Sequence, residues 1–123
     1  MDNNIFSSDH YKGSKEYQEQ GIDLNAQLVK NRPETFFMKV NSDAMIGAAI
    51  HCGDVVIVDR SLEPRNGNVV IAVIDGEMLI RKFEINNHKR RLIPATTKLS
   101  AIEITESTSF VVWGVVTYVI HSL

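Results

Sequence analysis

Between residues 55 and 120 the chain sets short runs of β-branched residues against turn dipeptides, again and again. That alternation leaves little room for anything but a mostly β fold. Val55-Val56-Ile57-Val58 is a continuous apolar run, the pattern of a strand covered on both faces. The cluster at 63–68 contains Asn66-Gly67, a strong tight-turn signal, and a strand is predicted at 69–74. Asp75-Gly76 then turns the chain into a strand at 77–85, so the pair reads as a hairpin. A loop is expected at 86–90, followed by strands at 91–94, 102–104 and 110–120. Upstream, 35–40 is a further strand and 45–50 holds one helical turn. Asp23 is placed to cap a short helix over 24–29, with Leu24 and Leu28 on one face. Asn31-Arg32-Pro33 ends it, because the residue before a proline is pushed out of the helical region.

The first twenty residues carry little apolar surface beyond Ile5, Phe6, Tyr11 and Tyr17, so burial there cannot offset the entropy of ordering. The expected organisation is therefore a flexible N-terminal arm at 1–20 and one domain at 21–123. The predicted fold class is mostly β, a curled or barrel-like sheet with a short helix. At 123 residues the chain is long enough to bury a core without disulfides or a structural metal.

A net charge of −2 gives no global pull toward nucleic acid or an anionic membrane. The basic run Lys89-Arg90-Arg91 reads as a solvated turn. The longest apolar stretch, 110–120, is about half the roughly 20 residues a membrane helix needs. Cys52 is the single cysteine and cannot form an internal bridge. Lying between His51 and Gly53 without further ligands at metal spacing, it reads as a buried or half-buried thiol, and no metal or cofactor is expected. A reducing cytoplasm suits such a chain. His10, His51, His88 and His121 are scattered and read as surface or satisfied structural residues. Asp54 and Asp59 flank the apolar run as turn and strand-end residues, and Trp113 belongs to a core or a dimer interface.

One segment is more specific. Phe37-Met38-Lys39-Val40-Asn41-Ser42-Asp43-Ala44-Met45, followed by Gly53-Asp54-Val55-Val56-Ile57-Val58-Asp59, resembles the LexA/UmuD family of self-cleaving serine–lysine proteins. The likeness continues through Gly67-Asn68-Val69-Val70-Ile71-Ala72-Val73-Ile74-Asp75-Gly76-Glu77, Leu92-Ile93-Pro94 and Val112-Trp113-Gly114-Val115-Val116. Upstream, Tyr17-Gln18-Glu19-Gln20-Gly21-Ile22-Asp23-Leu24-Asn25 resembles the UmuD branch in particular. The resemblance spans roughly residues 16–120 in order.

In that family a serine hydroxyl attacks the peptide carbonyl and a neutral, desolvated lysine takes its proton. The resemblance puts Ala44 at the nucleophile position and Arg81 at the base position. Alanine has no hydroxyl, and a guanidinium with a pKa above about 12 is no base near neutral pH. Ser42 lies two residues early, and alternation along a strand sends Lys82 to the face opposite Arg81. The stretch Ser7-Ser8-Asp9-His10, where the family places its cleavage site, has neither Cys-Gly nor Ala-Gly. The resemblance therefore implies a non-catalytic accessory subunit or regulator of error-prone translesion synthesis in the SOS response. Its implied partners are a second copy of itself, an error-prone DNA polymerase catalytic subunit and the RecA filament. The alternatives are a serine peptidase using Ser42 or Lys82 in a rearranged site, or an inactive partner that restrains an active relative through mixed dimers. No helix-turn-helix pattern is legible, so sequence-specific DNA binding is not expected.

Overall fold

The computed structural model describes residues 16–18 and 20–123. Most of the expected arm, and the stretch Ser7 to His10, lie outside the described residues. The first element is α1 (Leu24–Leu28), capped where expected, with the Asp23 carboxylate accepting from the Ala26 amide at 3.3 Å. Its two leucines do little burying, since Leu24 is exposed and Leu28 half-buried. A 3-10 turn at Arg32–Glu34 then leads into the sheet.

Seven strands follow: β1 (Thr35–Lys39), β2 (Val55–Asp59), β3 (Val69–Ile74), β4 (Glu77–Asn86), β5 (Lys89–Ile93), β6 (Ile102–Ile104) and β7 (Phe110–Ile120). They form one antiparallel sheet in the order β1-β2-β7-β3-β4-β5-β6. The long β7 is inserted between β2 and β3, which explains its apolar run: it is flanked on both sides by strands. β2 is the most deeply buried strand, with Val56 to Asp59 all inside. The sheet has two end strands, β1 and β6, so the predicted curl stops short of a closed barrel.

The Asp75-Gly76 turn has positive φ at both positions (48° and 85°), the geometry a two-residue hairpin loop requires. The next turn departs from expectation. Asn87 and His88 both take positive φ, and their pair alone reverses the chain. Lys89-Arg90-Arg91 is consequently strand β5 and not a solvated turn. Arg91 pairs with Glu84 across the ladder at 2.7 Å, a cross-strand ion pair that supports the register.

Two apolar clusters make the core. One joins Val40, Met45, Ile50, Val56, Val58, Ile71 and Ile80, and the other gathers Val70, Ala72, Ile74, Phe83, Leu92 and Val115. The first is built largely around the loop between β1 and β2, which carries the candidate site. Trp113 is half-buried against that core, edge-on to Phe36 at 5.1 Å, with the Arg60 guanidinium over its ring. No helix among the described residues is long and apolar enough to cross a membrane.

Candidate functional site

The loop from Val40 to Asp54 is held by main-chain bonds at both ends. Val40 and Gly53/Asp54 exchange two, at 2.8 Å each. In the middle, the Ala95 amide donates to the Ala44 carbonyl and the Gly47 amide donates to the Ala95 carbonyl, both at 2.8 Å. Gly47 is needed for that second contact, because a Cβ there would sit 2.6 Å from the Ala95 oxygen. Ala44 and Met45 are buried at 3% and 1% exposure, so the position is fixed by packing as well as by hydrogen bonds.

This loop forms one wall of a cleft of ≈ 370 Å³. The opposite wall is the first half of β4, from Met78 to Arg81, and the floor includes Val56 and Ile71. Ala44 and Arg81, which are 37 residues apart in sequence, thus line the same cleft. Ser42 lines it too, and its Oγ lies 3.4 Å from the Ala44 amide. Lys82 does not line it and is exposed, as strand alternation requires.

Arg81 is 8% exposed. Its Nη1 donates to the Ile80 carbonyl at 2.8 Å, its Nε is buried without a partner, and no carboxylate among the described residues pairs with it. Burial pulls the guanidinium's pKa below its ordinary value. A guanidinium nonetheless stays a cation near neutral pH. Chemically the cleft offers a methyl group, a permanently charged fork of N–H donors, the polar side chains of Lys39, Asn41 and Ser42, and apolar side chains.

A second polar cluster was not legible in the sequence. His51, Asp54 and His121 meet where β2 begins and β7 ends, because Val55 pairs with Ile120. Asp54, 3% exposed, accepts from the His51 amide at 2.8 Å on one oxygen and contacts His121 Nδ1 at 2.5 Å on the other. These bonds, the His51 amide first, hold its carboxyl below the usual carboxylate range. The histidines are therefore not independent surface residues. An aspartate beside a strand start and a histidine just past a strand end are a usable signal only if the register of two remote strands is known.

The three side chains offer ligand atoms within 4.8 Å of one another, the right types for a divalent metal. Both carboxylate oxygens are already engaged, and three protein ligands fall short of a closed structural site, so the arrangement reads as a capped carboxylate. Cys52, expected inside, is exposed: it sits at the outer turn of the loop, where its amide donates to Asp43 at 3.2 Å. Asp59 keeps its strand-end role, accepting from the Ser61 amide and hydroxyl.

Comparison with known proteins gives a consistent picture. The profile of the Peptidase S24-like family matches residues 6–117. Protein ImpA from Escherichia coli is 31% identical over 106 residues, covering 86% of this chain and 72% of that protein. Protein MucA from Escherichia coli is 32% identical over 108 residues, covering 87% and 71%. LexA repressor 1 from Xanthomonas oryzae pv. oryzae is 33% identical over 96 residues, covering 78% of this chain and 47% of the repressor.

Proposed function

The chain belongs to the S24-like peptidase family, to which LexA and UmuD-type proteins also belong, and from that membership we propose that it is a non-catalytic, UmuD-like accessory subunit or regulator of error-prone translesion synthesis. The observation that carries this reading is the pairing of Ala44 and Arg81 in one cleft. They stand at the positions where the family resemblance expects nucleophile and base. A methyl group cannot attack a carbonyl, and a guanidinium cannot take up a proton at neutral pH.

The neighbours do not replace them. Lys82 lies outside the cleft, and Ser42 Oγ accepts from the Ala44 amide in the same loop. With the chemistry gone, what remains is binding surface. The outer edge of β1 is unpaired, and Phe37, Val119 and Ile120 are exposed. A second copy of the chain, a polymerase catalytic subunit and the RecA filament are the partners this reading assigns, in the cytoplasm.

Affinity capture of the tagged protein from DNA-damaged host cells tests the reading, with bound proteins identified by mass spectrometry. Recovery of an error-prone polymerase subunit or RecA is expected. Recovery of a self-cleaving relative alone would replace the accessory role with that of a restraining partner.

A further inference from the structure

Arg81 is a charge the fold does not match. It is only 8% exposed, yet among the described residues a single backbone carbonyl receives one of its five N–H donors. Its Nε is sealed from solvent with nothing to bond. The other charged side chain lining the cleft is Lys39, also a cation, so no group on the walls neutralises it. Leaving a buried charge uncompensated is costly, and folds keep such groups chiefly where something else completes them.

We propose that the cleft is a receptor for a carboxylate carried on an extended peptide, with the Arg81 guanidinium as the group that binds it. The proposal rests on the non-catalytic reading of this site. The planar fork of an arginine matches both oxygens of a carboxylate, and charge-assisted bonds of this kind are the strong ones.

The surroundings favour a peptide over a nucleic acid. Among the described residues β1 is paired on one side only, and β5 pairs β4 only from Lys82 onward, so Glu77–Arg81 also has one open edge. Met38 and Lys39 of β1 and Met78–Arg81 of β4 line the cleft, so an added strand along either would meet main chain that no described strand pairs. The floor of Val56, Ile71 and Ile80 suits apolar side chains. Among the described residues no aromatic ring lines the cleft, as base stacking would require. The carboxylate has two sources, an acidic side chain or a chain terminus.

Three unlabelled, N-acetylated hexapeptides of valine, alanine and threonine separate these sources. The first carries a central glutamate and an amidated end, the second a glutamine and an amidated end, the third a glutamine and a free C-terminus. Calorimetric titration of the full chain is expected to favour one or both charged peptides over the neutral one by about tenfold or more. That preference should vanish in Arg81→Met and survive in part in Arg81→Lys. In the wild type, the Arg81 Nε–Hε NMR cross-peak, identified by its loss in Arg81→Met, should move on titration with the preferred peptide.

Equal affinity for charged and neutral peptides, an unmoved Nε–Hε peak, or a preference retained by Arg81→Met would each overturn the proposal. Intact masses of peptide and protein are read from the same samples. Shortening of either sinks the non-catalytic reading, whereas intact species without a carboxylate preference sink only this inference.

Discussion

Two buried charges flank the loop between β1 and β2, Asp54 at its end and Arg81 on β4 across the cleft from it, and the fold treats them differently. Asp54 is 3% exposed and receives a backbone amide and an imidazole, one on each oxygen. Arg81, across the cleft from Ala44, is 8% exposed and has one carbonyl for five donors. The first carboxylate is filled by its own chain and ties the start of β2 to the end of β7, although the His51 Nδ1 beside it is, like the Arg81 Nε, buried without a hydrogen-bond partner. The second is unfinished. Among the described residues the carboxylate is completed within the chain and the guanidinium is not, and the guanidinium is the group the proposed peptide carboxylate would complete.

Substitutions can break this contrast. Asp54→Ala should cause the largest change, a clear fall in the urea midpoint, because it frees the His51 amide and releases His121 together. Arg81→Met should move the midpoint the other way, stabilising the chain by about 1–2 kcal/mol, since an apolar side chain of similar length replaces an unpaired cation. If Arg81→Met destabilises instead, the guanidinium is satisfied within the fold and the contrast fails.

Acidification sharpens the same comparison. The Asp54 carboxyl is held below its ordinary range in the folded chain, so on acidification the unfolded chain takes up that proton first. Its stabilising effect is complete above about pH 4, the ordinary carboxylate value, and is lost as pH falls through the lower folded value. Asp54→Asn should flatten that acid limb in urea titrations run at successive pH values, while Arg81→Met should leave it unchanged. His121→Gln should have the smallest effect, a loss of about 0.5–1 kcal/mol at neutral pH, since one of the two contacts to Asp54 remains.

The strands were legible because their signals are local. The β-branched runs set β2, β3 and β7, and Asp75-Gly76 set the β3–β4 hairpin, each within a few residues of its place. Ala44 and Arg81 could be singled out only through the family resemblance, since neither is remarkable by chemistry alone. What escaped depends on tertiary pairing. His51 and His121 meet at Asp54 only because β7 runs antiparallel to β2 across a separation of more than sixty residues. The strand expected from Arg91 starts two residues earlier: Lys89 and Arg90 looked like loop because their charges suit one, but they pair with Asn86 and Ile85 across the ladder. Cys52 looked like a core thiol by residue type, while its position at the apex of a tight loop leaves it outside.

The central claim is that the cleft holds no peptidase, and intact-mass spectrometry reaches it most directly. Wild-type protein incubated at alkaline pH and treated with a serine-directed fluorophosphonate should keep one unchanged mass. Ala44→Ser combined with Arg81→Lys, which puts the hydroxyl and the amine back into the same cleft, should gain the mass of the adduct. Shortening or labelling of the wild type would contradict the account.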